Sequence, residues 1–338
     1  MQSLEQLMAR NRFKEWTIAE RLLFEFTCAA LTLLFIVLTI SLYRPTSLGP
    51  TMPLLPFPKR VNLTILPHFV NCTASTQSNG STEVKLVIVL KTRVEEVEQR
   101  RAIRETWASQ LRWPVVFAVG KSVHSAHNLN IINESSIYGD ILQADFIDSY
   151  FNLSLKSLSI LQWMVEYCAQ VDLFVQGDSD MLFSPTKLEH LASARRYRAN
   201  EIYGCLYERT IVRHFDKWAV NPISYPYMYY PDYCSGRIFL MTNDVPEALL
   251  SAHRQRVSRL PHCGYISVDD AYFTGIIAFE AGVKRTNEPS IIFLPEHSAF
   301  VSETEVCRAL AIGEFKTPEL MRQAWNKFQV AYNTCTNA

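Results

Sequence analysis

With 338 residues, a formal net charge of zero and 48% hydrophobic residues, the chain is long enough to bury a sizeable core, as one large domain or two smaller ones. Acidic and basic residues are equal in number, so no bulk charge points to nucleic acid. Six Trp and fifteen Tyr suit stacking against a ligand, although cores and interfaces use aromatic rings equally well.

Residues 1–25 form a polar leader. Phe26 to Tyr43 then runs 18 residues without a charge, which meets the lower bound for a membrane-spanning helix and exceeds a signal-peptide core. No small-residue cleavage site follows the run, so the expectation is an uncleaved signal anchor rather than a removed leader. Arg10, Arg12, Lys14 and Arg21 precede it, and Arg44, Lys59 and Arg60 follow it. That small margin favours a cytoplasmic tail at 1–25, a span at 26–43 and a lumenal remainder.

From Arg44 to Thr82 the chain is rich in Pro, Ser, Thr and Asn, the composition of an exposed linker, and 44–82 is expected to be a stem. Five glycosylation sequons lie beyond the apolar run, at Asn62, Asn71, Asn79, Asn133 and Asn152. Seven cysteines share that side, and none forms a Cys-X-X-Cys pattern. In an oxidising compartment some should pair, in a connectivity that spacing leaves open.

From residue 83 onward strands and helices alternate. Val84–Leu90, Val115–Val119, Asp140–Phe146 and Arg237–Thr242 read as strands. Val94–Gln110, Leu155–Ala169, Pro185–Arg195, Pro246–Arg256 and Asp269–Ala281 read as helices. Leu173 to Val175 is a short buried strand that breaks at Gln176-Gly177 into Asp178-Ser179-Asp180. The succession predicts an α/β domain over 83–338, with a mainly parallel sheet flanked by helices. Two carboxylates at a strand's carboxyl end suit a divalent cation that also holds phosphates, and equally suit a solvated Asp-rich turn.

Five ordered blocks decide between those alternatives. Arg100 to Trp107 carries Arg-X-X-Ile-Arg-X-Thr-Trp, and Asp145 to Lys156 carries Asp-Phe-X-Asp-X-Tyr-X-Asn-Leu-Ser-X-Lys. Asp178-Ser179-Asp180, Tyr230-Pro231-Asp232-Tyr233-Cys234-Ser235-Gly236 and Asp269-Asp270-Ala271 follow. Together they resemble the inverting β1,3-glycosyltransferases of the β1,3-galactosyltransferase type, over roughly Leu86 to Phe279. The chain departs from that pattern at Ser179 (Asp in the family), Gln176 (commonly Lys) and Asp269 (Glu).

The resemblance implies a glycosyltransferase A fold in the Golgi, with single-pass type II topology, manganese and a UDP-sugar donor. The acceptor would be a glycoprotein or glycolipid glycan, and galactose is favoured over N-acetylglucosamine. It further implies Asp180 as a metal ligand, Asp178 on the metal or the ribose, and Asp270 as general base, a residue that could otherwise simply cap its helix. Arg100, Arg104 and Lys156 are candidates for the diphosphate or uracil, the alternative for the arginines being a solvated basic helix face. His297 is the candidate third metal ligand. Trp218, Tyr227, Tyr229 and Tyr230 could form an aromatic platform for the acceptor or simply pack their loop. Ser179 and Gln176 keep a second expectation open, a catalytically silent relative acting as a lumenal glycan-binding protein or chaperone.

Overall fold

Runs as apolar as 86–90 and 173–175 need cover on both faces. In the computed structural model, which describes residues 23–27, 29–35, 56–68, 85–195, 198–260, 264–293 and 303–336, they form the centre of one sheet. The strands in chain order are β1 (Leu63–Ile65), β2 (Leu86–Lys91), β3 (Val115–Lys121), β4 (Ile141–Ile147), β5 (Leu173–Asp178), β6 (Met181–Phe183), β7 (Glu201–Tyr207), β8 (Tyr233–Thr242), β9 (Lys284–Asn287), β10 (Ile291–Phe293) and β11 (Ala311–Gly313). Eight make the main sheet in the order β1-β4-β3-β2-β5-β8-β7-β9, and β10-β11-β6 make a small one.

Strands β4, β3, β2 and β5 are mutually parallel. Strand β8 is antiparallel to both β5 and β7, and β7 is parallel to β9, so β7 and β9 run with the parallel block. The fold is therefore a mixed α/β structure with a mostly parallel central sheet, as expected. Alternation along each strand divides the core in two. Val87 and Val89 face a cluster with Leu158, Trp163 and Leu249 from helices Leu153–Tyr167 and Val245–Arg259. Leu86, Ile88 and Leu90 face the other side, against Ile103, Leu188 and Phe328 from helices Val97–Glu105, Pro185–Arg195 and Pro318–Thr336. Each such side chain, fully covered, contributes roughly 1.5–3 kcal/mol.

Several boundaries differ from the sequence expectation. The helix expected over Val94–Gln110 spans only Val97–Glu105 and gives way to a 3-10 turn at Trp107–Gln110. Thr106 turns its hydroxyl back onto Ala102 O at 2.6 Å, and Trp107 buries against Phe183 with ring centroids 4.7 Å apart. Several elements had no expectation, among them strands β1, β7, β9, β10 and β11, the helix Ser125–Tyr138, whose few apolar residues make no stripe, and the carboxyl-terminal helix Pro318–Thr336.

Part of the expected stem is woven into the fold. Phe57 and Val61 are buried, β1 pairs antiparallel with β4, and the Gln162 amide both donates to Val61 O and accepts from Val61 N, each at 3.1 Å. Composition misses this because two buried side chains in a Pro-rich stretch are enough to anchor it. Among the sequons, Asn62 and Asn133 are exposed. Asn152 is half-buried and donates its amide to Ile147 O at 2.7 Å, while Asn71 and Asn79 lie outside the described residues. Cys168 and Cys307 are disulfide-bonded, and Cys205 and Cys234 are free thiols.

The chain divides into two compact units, Met1–Pro53 and Leu54–Ala338. In the first, residues 23–27 and 29–35 are helical with their side chains exposed, and Cys28 and residues 36–43 of the expected span lie outside the described residues. Among the described residues, no helix is long and apolar enough to cross a membrane.

Candidate active site

The parallel strands place their carboxyl ends along one edge, and the register sets Lys91, the last residue of β2, opposite Asp178, the last of β5. A cleft of about 520 Å³ opens there. Its floor is charged: Lys91, Asp178, Asp180, Asp269 and Asp270 line it, with Arg237, Glu314 and Lys316. Asp178 and Asp180 thus share one cavity with Asp270, which lies far from them in the chain.

Each acid is held differently. Asp270 sits ahead of the π-helical turn Ala271–Ile277, a local widening frequent at functional sites. Its Oδ1 accepts from Ala271 N at 2.8 Å and its Oδ2 from Gly236 N at 3.0 Å, so helix capping and presentation to the cleft are one arrangement. Burial, then the neighbouring Asp269, pushes the Asp270 carboxyl up to about 6. A Cβ at Gly236 would lie 3.1 Å from Asp270 Cβ and 3.2 Å from Lys91 Nζ, so a side chain there would crowd both groups.

Asp180 follows the strand on a short turn. Its backbone carbonyl accepts from Phe315 N at 2.8 Å, while its side-chain Oδ1 is buried without a hydrogen-bond partner. Burial, then Asp178 and Glu314, pushes the carboxyl up to about 7. A buried, orphaned carboxylate oxygen beside a second carboxylate fits a divalent cation. Asp178 and Asp180 would hold it; His297, the third ligand expected, lies outside the described residues, and no group of three or more metal-binding side chains occurs among those described. Ser179, by contrast, is turned away from the cleft. Its hydroxyl donates to Glu96 at 3.3 Å, so the residue that replaces the family's middle acid does not remove a cleft carboxylate.

Three expected phosphate contacts need correction. Arg100 is fully buried, with Nε and Nη2 on Glu134 at 2.8 and 2.7 Å, Nη1 on Thr92 Oγ1 and Arg93 O, and Nη2 also on Val94 O. Arg104 is bidentate to Asp140, bonds Glu134 and stacks over Tyr138 at 4.0 Å. Lys156 pairs with Asp148 at 2.7 Å and donates to Thr92 O. None of the three lines the cleft, because burial makes each satisfy its donors inside the fold. The helix that carries the arginines serves the site through another residue: Gln99 Nε2 donates to Ser179 O at 2.9 Å and to Phe315 O at 3.3 Å, tying the acidic loop to the segment that carries Glu314.

Lys91 was not anticipated. It is 5% exposed, pairs with Asp178 at 3.2 Å and with Asp269 at 3.0 Å, and lies within the field of Asp270. Burial alone would lower its ammonium, but the acids outweigh burial and raise it. A lysine closing a fully apolar strand was the available signal. Of the expected aromatic platform, Trp218 and Tyr230 line the cleft, joined by Tyr150, Tyr207 and Tyr233, whereas Tyr227 and Tyr229 do not. Tyr227 packs its edge against Tyr225, in line with the loop-packing alternative.

Known proteins resemble this chain over part of its length. It is 28% identical to β1,3-galactosyltransferase 5 of Homo sapiens over 55% of this chain and 60% of that protein. Identity is also 28% with β1,3-galactosyltransferase brn of Drosophila melanogaster, over 73% of this chain and 75% of that one. With the UDP-GlcNAc:betaGal β1,3-N-acetylglucosaminyltransferase 7 of Rattus norvegicus it is 31%, over 49% and 46%. The chain thus spans less than two thirds of the length of the human and rat relatives. The galactosyltransferase family model matches residues 98–289, more than half of the chain and including every cleft aspartate, and the chain belongs to that family.

Proposed function

We propose that the chain is a β1,3-hexosyltransferase of the glycosyltransferase A type, moving galactose, or N-acetylglucosamine, from a UDP-sugar to a glycan hydroxyl with inversion. The observation that carries this is the convergence of Asp178, Asp180 and Asp270 on one cleft beside an aromatic wall. Relatives named as galactosyl- and N-acetylglucosaminyltransferases support both donors.

In the proposed reaction the acceptor oxygen bonds to the anomeric carbon as the carbon–oxygen bond to UDP breaks, and the acceptor's proton passes to Asp270. Two backbone N–H groups leave that carboxylate fixed in orientation, and a base near 6 is mostly ionised at neutral pH while still able to take a proton. Asp178 and Asp180 would hold Mn²⁺, which when bound neutralises the charge growing on the departing diphosphate. Lys91 supplies a second, permanent positive charge on the same floor. Trp218 and Tyr230 offer apolar faces on which the acceptor sugar can lie.

The same reading includes a single-pass type II anchor in the Golgi membrane, supported by the uncharged run 26–43, whose described part is helical with exposed apolar side chains. The test is UDP release by the full chain from a panel of UDP-sugars, with Mn²⁺ or EDTA. Metal-dependent release that favours UDP-galactose and disappears in Asp180→Ala is the expected result. A folded protein that releases UDP from no donor over a broad acceptor panel would favour the silent relative instead.

A further inference from the structure

Gln176 and Ser157 are buried behind the cleft floor and are not part of its lining. They nevertheless connect to it. Gln176 Nε2 donates to Ser157 Oγ at 3.1 Å, and Ser157 Oγ donates to Asp269 Oδ2 at 2.6 Å. The same carboxylate oxygen receives Lys91 Nζ at 3.0 Å, and Lys91 reaches Asp178 at 3.2 Å. A serine hydroxyl has a single proton. With an amide N–H aimed at its oxygen, that proton can go only outward, to Asp269.

We propose that Gln176 and Ser157 are positioning residues of this site: a donor at 176 orients Ser157, Ser157 fixes Asp269, and Asp269 holds Lys91 between Asp178 and Asp270. The inference rests on the transferase reading of those two acids. Its physical basis is the ammonium's choice of partners. Lys91 ends a flexible stem amid several carboxylates, and an unfixed cation there would pair with whichever acid lay nearest, the base included. An Asp269 already committed on one side sets where the cation stops.

The requirement at 176 is then a hydrogen-bond donor rather than a charge, and at 269 an acceptor rather than a particular length. Two of the chain's departures from its family pattern, Gln for Lys and Asp for Glu, thereby become members of one relay. They are compatible changes, not signs of a failed site.

The test measures kcat and donor KM of the full chain carrying Gln176→Met, Ser157→Ala and both. The expected result is a loss of about 10- to 100-fold in kcat for Ser157→Ala, the scale of a lost hydrogen bond to a charged group, and of about 3- to 10-fold for Gln176→Met, whose bond to the hydroxyl is neutral, with donor KM within about twofold. The double variant should be no worse than the poorer single one, since both cut one chain of contacts. Gln176→Lys and Ser157→Thr keep the donors and should restore turnover. Unchanged kcat, additive losses, or failure of both conservative variants would overturn the relay. A wild-type chain without turnover would count against the transferase reading, and the relay would then be judged on Lys91 itself. Its ammonium protons should give a protected proton–nitrogen NMR signal that is lost in Ser157→Ala and kept in Ser157→Thr; a signal unchanged in Ser157→Ala would sink the idea.

Discussion

Two buried charge clusters meet at Thr92 and have opposite characters. Arg100 bonds its hydroxyl and belongs to a group in which two arginines face Glu134 and Asp140, so cations and anions balance. On the other side, Lys91 is shared between Asp178 and Asp269, while Asp180 and Asp270 lie in the same cleft. In the balanced group, burial pushes Glu134 upward but the two arginines outweigh it and hold the carboxyl below its usual range. In the unbalanced group, burial and neighbouring acids push Asp180 and Asp270 up to about 7 and about 6. A closed cluster has no capacity left for a ligand; an excess of acids needs a proton or a cation to complete it. That contrast separates the structural arginines from the cleft aspartates more sharply than exposure does.

The largest expected effect breaks the unbalanced side. Asp270→Asn should lower kcat by about 10²–10⁴-fold while UDP affinity, measured by calorimetry, stays near wild type. On the balanced side, Glu134→Ala leaves two arginines buried without their shared partner and should cost about 3–5 kcal/mol of stability in denaturant titration. Equal losses of kcat and stability in both variants would erase the distinction. The next effect is a pH profile. Because the Asp270 carboxyl lies at about 6, above its ordinary value, its base form is lost as pH falls through that value. The kcat/KM measured at pH 5 should then be roughly tenfold below that at pH 7, and Asp270→Asn should flatten the limb. The smallest effect is that of Arg104→Lys, which keeps the charge but loses the bidentate hold on Asp140. It should lower stability by about 1 kcal/mol and leave kcat unchanged.

Much of the site was legible because carboxylates at strand ends and at helix starts are local patterns. Asp178, Asp180 and Asp270 could be singled out that way. Arg100, Arg104 and Lys156 were misplaced because a charged residue beside a motif looks the same in sequence whether its partner is a ligand or Glu134, Asp140 or Asp148. Lys91 was missed for the converse reason: its partners lie 87 and 178 residues away in the chain, in Asp178 and Asp269.

The sequence by itself determined the alternation of apolar runs and amphipathic helices, hence a mostly parallel sheet with an acidic loop at the carboxyl end of a strand. Periodicity and turn chemistry are short-range properties, and they survive without knowledge of what packs where. Only the tertiary structure decided which charges pair with one another, that Ser179 faces Glu96 instead of the cleft, and that residues 56–68 belong to the fold. Those outcomes depend on burial and on distances between segments far apart in the chain, where the cost of an unpaired charge selects the partner.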